Sequence, residues 1–290
     1  MSKKIQVIKL FLVLITSLYI RIAVANDTLG MITTSGLVFK ESKNISMESE
    51  ELYISLDKIK VKYNFLNNSN QGISETVIFP LPEINSEALY RINYDILSKS
   101  SNPLQFKLKI NGKEMPIKMY RKEVCKQDFC TLQMQYYWEQ VFPANQLITV
   151  EHEYLVVPGR GSMEDENYCK NTFFDQGLKK LALKVKNYSE TQERMDEYHH
   201  TSFSNDYFPL WLHYHNYEIG YILKTGANWQ GSIKQFKMTV DKGLSDNLIS
   251  LCWNGLKKID STRFIYEQKN FIPTQDLKIL IIAAKGQKMQ

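Results

Sequence analysis

Residues 221–255, YILKTGANWQGSIKQFKMTVDKGLSDNLISLCWNG, decide the fold of this chain. Two apolar strand patterns flank the turn Thr225-Gly226-Ala227-Asn228-Trp229, and a third brings in Cys252. Glycine adopts backbone angles closed to other residues, asparagine tolerates the left-handed region, and tryptophan can bury a large ring. We predict a tight corner held by a packed indole; a ligand platform on an exposed face of Trp229 is the alternative.

The first 25 residues have the pattern of a signal peptide. Basic residues come first, an apolar run follows at 10–15, and Ala23-Val24-Ala25 supplies the small-x-small pattern of a cleavage site. An uncleaved anchor is the alternative, although Arg21 interrupts the apolar stretch early. We therefore predict an exported protein of the periplasm of a Gram-negative bacterium, with no stable membrane insertion after cleavage.

The charge balance argues against nucleic acid as a partner. Residues 1–25 hold four basic residues and no acidic ones, so the rest of the chain carries 32 basic and 31 acidic residues. This near neutrality provides no overall attraction to nucleic acid or anionic lipid. The phosphate-binding glycine loop, the dinucleotide glycine pattern, the nucleophile elbow and the zinc-protease helix motif are absent from the sequence, and we expect no cofactor.

Four cysteines in an exported chain favour disulfides over thiol chemistry. Cys125 and Cys130 lie in a short loop that could close on itself, which would leave Cys169 to bridge to Cys252. Three pairings are possible at this point. A zinc site at Cys125 and Cys130 lacks a second pair at zinc-ligand spacing.

Alternation of apolar and polar residues predicts strands along most of the chain. Asn111-Gly112 between two such runs is typical of a hairpin, and the apolar run near the carboxyl end, 277–283, should be central in its sheet. We predict a mainly β, sandwich-like fold in two packed units: an amino-terminal unit at 26–160 and a carboxy-terminal unit at 208–290.

Residues 161–207 form the predicted connection between these units. Apolar residues at 174–185 recur at helical spacing opposite lysines, which predicts one amphipathic helix. We expect this helix to lie over a sheet with its lysines in solvent; docking on a membrane surface is the alternative.

The histidines are the residues of this sequence best suited to metal binding or catalysis. On a strand, His213 and His215 would direct both rings to one face, and His199 or Asp206 could complete a metal shell. The apolar surroundings at 208–212 favour packed histidines instead. We assign no catalytic residue and no metal ligand, and a metal-dependent hydrolase using His213 and His215 is the alternative hypothesis. His152, on the apolar face of its strand, is predicted to be a core histidine.

Several short segments, in a fixed order, resemble the bacterial domain-of-unknown-function family 4424, exported proteins of uncharacterised role. The resemblance covers nearly the whole chain after residue 25 and implies an exported β fold without naming a catalytic residue or a ligand. Cys169 and Cys252 fall where the family pattern tends to have cysteine, which supports pairing them. The segments include Asn26-Asp27, Phe79-Pro80-Leu81-Pro82, Val150-Glu151-His152-Glu153-Tyr154, Thr225-Gly226-Ala227-Asn228-Trp229 and Asp276-Leu277-Lys278-Ile279-Leu280.

The sequence therefore predicts a non-catalytic binding or scaffolding module of the cell envelope. Its expected partner is an envelope protein or a glycan. An enzyme remains the second hypothesis.

Overall fold

The structure, a computed structural model, describes residues 26–33, 36–85, 100–126, 129–160, 173–174 and 214–284. Within these residues the chain is mainly β, as predicted, and its strands form three sheets. The one helical element of the described part is a 3-10 turn, Lys224–Asn228. The described part of the chain contains no helix that is long and apolar enough to cross a membrane.

The first sheet has six strands, in the order β2-β1-β5-β10-β6, with β9 also paired to β10. All six come from the amino-terminal half: β1 Thr28–Thr33, β2 Gly36–Lys40, β5 Ile73–Pro80, β6 Ile84–Asn85, β9 Lys118–Lys126 and β10 Phe129–Phe142.

The second sheet has eight strands, in the order β17-β18-β15-β3-β4-β11-β7-β8. They are β3 Ile45–Ile54, β4 Lys58–Asn67, β7 Lys107–Ile110, β8 Lys113–Met115, β11 Leu147–Leu155, β15 Ile233–Asp241, β17 Lys257–Lys258 and β18 Arg263–Phe271. The predicted hairpin between β7 and β8 is confirmed: Asn111 and Gly112 have φ of 49° and 78°, the left-handed values that such a turn needs.

The third sheet has five strands, in the order β12-β14-β19-β16-β13. They are β12 Gly159–Arg160, β13 Phe173–Phe174, β14 Tyr214–Tyr221, β16 Leu248–Leu251 and β19 Leu277–Ala284. The prediction that the run at 277–283 is central in its sheet is confirmed, since β19 lies between β14 and β16. At its carboxyl end Ile281, Ile282 and Ala283 are all buried, so both faces of the strand are covered there, whereas Lys278 is exposed.

The eight-stranded sheet combines strands from both predicted units. β15 pairs in parallel with β3, joining Gln235 to Ser49 and Val240 to Ile54, whereas every other ladder of this sheet is antiparallel in the described part. Units divided at residues 26–160 and 208–290 would therefore share one sheet, and the side chains of all three sheets contribute to one hydrophobic core.

A β-bulge in β3 changes which side chains face the core. The register with β4 shifts between Met47 and Ser49, so that Ile45 and Met47 are buried before the shift, and Leu52 and Ile54 after it. One extra residue reverses the alternation of a strand. The reversal buries Glu50 completely.

The predicted amphipathic helix is not supported. Its residues 175–185 lie outside the described residues, and Phe174, its predicted first residue, is the last residue of β13. Phe173 and Phe174 pair with Leu251 and Ser250 of β16.

Candidate functional site

The corner at residues 225–229 holds the first described residues of the chain. The Trp229 Nε1–H donates to the Asp27 carbonyl oxygen at 2.7 Å, and the Asn228 amide donates to Thr28 Oγ1 at 2.9 Å. Asn26, Asp27 and Thr28 are all fully buried. The turn that the sequence predicts at residues 225–229 therefore binds the segment 26–28 through hydrogen bonds.

The Thr225 hydroxyl forms two hydrogen bonds with the backbone of Asn26. Its hydroxyl oxygen accepts a hydrogen bond from the Asn26 backbone N–H, and the hydroxyl donates to the Asn26 carbonyl oxygen at 2.5 Å. Gly226 leaves room for the asparagine side chain, because a Cβ at Gly226 would lie 2.7 Å from Asn26 Nδ2. We call the cavity wall formed by Thr225, Gly226, Glu50 and Tyr63 around Asn26 the residue-26 socket.

The Trp229 side chain is buried in the core and is not accessible to a ligand. It is 3% exposed, and its ring centroid lies 4.3 Å from that of Phe65 and 6.1 Å from that of Phe142. Both faces of the indole are covered, so a ligand has no platform at this residue.

The side chain of Asn26 connects two buried polar groups. Its Nδ2 donates to Glu50 Oε2 at 2.9 Å, and its Oδ1 accepts from the Tyr63 hydroxyl. The Tyr63 and Tyr221 hydroxyl oxygens lie 3.3 Å apart. Burial, together with neighbouring Tyr221, Asp27 and Glu50, raises the pKa of Tyr63 well above its ordinary value, so the phenol remains a neutral donor.

Asp27 and His152 form a buried pair beside this socket. His152 Nε2 lies 3.3 Å from Asp27 Oδ1, and both side chains are completely enclosed. His152 is a core histidine packed against the rings of Phe79 and Phe106, whose centroids lie 4.5 and 5.1 Å from that of the imidazole. Burial raises the pKa of Asp27, and the nearby His152 partly opposes that rise.

Glu50 is the other buried carboxyl. Burial raises its pKa to about 8; the hydrogen bond from Asn26 works against that shift and the neighbouring Asp27 adds to it. In the described structure Glu50 Oε1 and both carboxyl oxygens of Asp27 are buried without a hydrogen-bond donor. Two acids, an imidazole and two phenols could exchange protons here, and all five side chains are buried, so a substrate could reach them only if the core opened.

The predicted histidine cluster is present only in part among the described residues. His215 lies in β14 with its ring exposed and 6.0 Å from that of Tyr217, while His199 and His213 lie outside the described residues. No group of three potential metal ligands occurs in the part of the chain that the structure describes. The metal hypothesis therefore gains no support from His215.

The structure describes three of the four cysteines: Cys125, Cys130 and Cys252. The register of β9 and β10 places Cys130 opposite Cys125, and neither Cys125 nor Cys252 is a free thiol. Cys169 lies outside the described residues, so its pairing with Cys252 stays a prediction.

The outer face of the eight-stranded sheet is the accessible candidate surface. Its side chains surround a groove of about 560 Å³ that includes Lys60, Lys107 and Glu153. A row of directly opposed residues crosses seven strands of this sheet with alternating charge: Glu267, Lys237, Glu51, Lys62, Glu151, Lys109 and Glu114. We call these seven residues the charge row.

Beside the charge row, two lysines pair with one carboxylate. Lys60 Nζ lies 3.2 Å and Lys58 Nζ 3.9 Å from the Glu153 carboxylate. Partial burial acts to raise the pKa of Glu153, but Lys60, Lys58 and Lys107 lower it overall. In the described part of the chain, Lys62 and Glu151 at the centre of the row have no ion pair within 4 Å, which leaves their charges available to a partner.

Sequence reasoning did not identify Asp27 and Glu50 as members of a buried cluster. A usable signal was present for Glu50: the apolar residues Met47 and Leu52 have opposite parity along β3, which requires a bulge and turns Glu50 inward. For Asp27 the local sequence carries no comparable pattern, since its partners are distant in the chain.

The comparisons with known proteins give a fold and a family. Among solved structures, a Legionella pneumophila protein provisionally named a nutrient-binding protein is 15% identical, with a TM-score of 0.50 over 89% of this chain and 70% of that chain. An M1 zinc metallopeptidase from Deinococcus radiodurans is 8% identical, with a TM-score of 0.30 over 84% of this chain and 43% of that one. No curated protein sequence matches.

At these identities the likeness to the Legionella protein shows a shared fold alone. The family comparison is more specific, because a sequence profile matches residues 25–129 and 123–280. The matched ranges include the segment 26–28, His152 and the corner at 225–229. The chain belongs to the family described as domain of unknown function (DUF4424).

Proposed function

We propose that this protein is an exported, non-catalytic binding module of the periplasm, and that the outer face of the eight-stranded sheet is its binding surface. We also propose that the first and second sheets pack as a β-sandwich. Phe79 of the first sheet packs against Tyr154, which lies in β11 of the second sheet, and against Phe106, which directly precedes β7 of that sheet. The charge row and its groove are the observation that carries the binding function.

Charge selects the kind of partner. Positive and negative side chains alternate strand by strand across the row, so the face has no net field to draw in a polyanion or a polycation. Adjacent strands are about 4.8 Å apart, so a partner that meets the row must satisfy opposite charges over short distances. An envelope protein with a mixed-charge surface fits this pattern better than nucleic acid, and a zwitterionic glycan is the other partner class.

A non-catalytic role agrees with the position of the ionisable groups. The buried acid and base that are close enough to cooperate, Asp27 and His152, are enclosed, whereas the accessible charged groups line the open groove on the outer sheet face. The nutrient-binding name of the Legionella relative is compatible with binding, and the proposal does not depend on it.

Site-specific photo-crosslinking in living cells tests the binding surface. A photoreactive residue at Lys62 should produce adducts of defined mass, because this side chain lies at the centre of the row. The matched control is Lys122, which is exposed on β9 of the first sheet. Adducts at Lys62 should disappear when Glu151 and Lys109 are both reversed in charge.

Two results would contradict the proposed surface. Equal adducts at Lys62 and Lys122 would show contact without preference for the row. Adducts that persist after the reversal of Glu151 and Lys109 would show that the row does not select the partner.

A further inference from the structure

Among the described residues, no lysine or arginine acts on the carboxyl group of Glu50, in the residue-26 socket, or on that of Asp27 beside it. Three buried carboxyl oxygens, two of Asp27 and one of Glu50, have no hydrogen-bond donor in the described structure, and the nearest basic group is the His152 ring at 3.3 Å from Asp27. An enclosed carboxylate needs a counter-charge or several donors, because it has lost its contact with water.

The backbone nitrogen of Asn26 lies inside this socket. It donates to Thr225 Oγ1, the side chain of the same residue bonds Glu50, and the next residue along the chain is Asp27. Asn26 also directly follows Ala23-Val24-Ala25, the predicted cleavage pattern. A peptide N–H at this position supplies one donor and no charge, whereas a free amino terminus supplies three donors and a positive charge.

We propose that Asn26 is the first residue of the mature protein and that its α-ammonium is a buried structural cation, held by Thr225, that supplies one positive charge beside the carboxyl groups of Asp27 and Glu50. The proposal rests on the export proposed above. Hydrolysis of the Ala25–Asn26 bond consumes one water, leaves a carboxylate on Ala25 and gives Asn26 an ammonium. Cleavage thereby completes the core, and the corner at residues 225–229 acts as the receptor for the new amino terminus.

This arrangement gives the corner a specific chemical task. Thr225 fixes the position of the nitrogen, Gly226 admits the Asn26 side chain, and Trp229 fixes the carbonyl of Asp27. Proteins are known to bind the terminal amine of a partner peptide through several acceptors that surround it. Here the amine and its acceptors would belong to the same chain. A residue ahead of Asn26 would remove the charge and add volume at a fully buried position.

The test uses the whole chain, exported by its own signal, in two versions. One is natural, and the other has Gly-Ser inserted between Ala25 and Asn26, so that cleavage after Ala25 leaves two residues ahead of Asn26. The amino terminus of each purified protein is sequenced first. Both are then treated with an amine-acetylating reagent, folded and in denaturant, and the acetylated terminal peptide is quantified by mass spectrometry.

The natural protein should begin at Asn26 and acetylate at least about 100-fold more slowly when folded, because reaction requires opening of the core. The inserted version should acetylate at its glycine at the same rate folded or unfolded, and its Tm should fall by roughly 5 °C or more. Gly-Ser appended after Gln290 is the matched control and should leave Tm within about 1 °C of the natural value. In an Asp27→Asn background the insertion should lower Tm by less, since one carboxylate is gone.

The outcomes separate this proposal from the proposed export. Retention of residues 1–25 by the purified protein overturns the buried ammonium, and recovery of the protein from the cytoplasm alone overturns the proposed export as well. A periplasmic protein that begins at another residue, or that begins at Asn26 and acetylates as fast folded as unfolded, overturns the buried ammonium and leaves export in place. The acetylation of the natural protein decides the matter even if the inserted version fails to fold.

Discussion

Gly226 carries a steric requirement that can be tested by adding one methyl group. A Cβ at this position would lie 2.7 Å from Asn26 Nδ2, 3.2 Å from Ile233 Cδ1 and 3.3 Å from Pro273 Cγ. We expect Gly226→Ala to lower the free energy of unfolding by about 1–3 kcal/mol, the usual cost of overpacking a core. Urea denaturation measures the difference.

Gly72→Ala is the matched control for this substitution. A Cβ at Gly72 would have no neighbour within 4 Å, so the change should stay within about 0.5 kcal/mol. Equal stability of the two variants would show that the socket tolerates displacement of Asn26.

The individual residues also show where sequence reasoning reaches its limit. The corner at residues 225–229 is recognisable because glycine, asparagine and tryptophan signal a turn and a buried ring within five positions. Its partner segment is almost 200 residues away, and Asp27 carries no local sign that it will be buried beside His152. Contacts of this kind follow from the pairing of distant strands, which local periodicity does not encode.

At the scale of elements, the strands were predictable and their neighbours were not. Alternation identifies β4 and β11, and Asn111-Gly112 identifies a hairpin, because these signals act within a few residues. The parallel ladder between β3 and β15 has no such signal, since the strands are far apart in sequence. Of the predicted helix at 174–185 the structure describes Phe174 alone, and this residue pairs in a sheet despite the helical spacing of the apolar residues that follow it.

The two predicted disulfides should differ in their effect on stability. Cys125 and Cys130 face each other on adjacent strands and would close a short loop, whereas Cys169 with Cys252 would close a far longer one. In the chain-entropy account, replacing the long-range pair by alanine should cost about 4.5 kcal/mol and replacing the local pair about 2 kcal/mol. Peptide mapping without reduction should find these two pairs in periplasmic protein. A peptide that joins Cys125 to Cys169 or Cys252 would contradict the assignment.

For the whole molecule, the buried carboxyl of Glu50 predicts a dependence of stability on pH. Burial raises the pKa of Glu50 from its ordinary value of 4.5 to about 8 in the folded chain. This value applies when another residue precedes Asn26, so that the Asn26 nitrogen is a peptide nitrogen and carries no charge. Between these values the folded state binds more protons than the unfolded state, so the free energy of unfolding falls as pH rises. The slope for one group is at most about 1.4 kcal/mol per pH unit.

The protein with Gly-Ser ahead of Asn26 should therefore lose stability steadily from pH 5 to pH 8. The natural protein should lose less, because the α-ammonium favours the ionised form of Glu50 and lowers its pKa. Urea midpoints at pH 5, 6.5 and 8 measure both proteins, with Glu50→Gln as the control that should flatten the pH dependence. A stability that rises over this range in the Gly-Ser protein would contradict the buried, proton-holding state of Glu50.

The parallel pairing of β3 with β15 also determines when the protein can fold during its synthesis. β3 and β4 can form their hairpin as soon as residue 67 is available, but one edge of β3 stays open until residue 241 has arrived. Contacts between such distant segments form slowly, and an open strand edge is a site of mispairing. A chain built in this way completes its eight-stranded sheet only after most of its length is available, a delay that is compatible with the export proposed above.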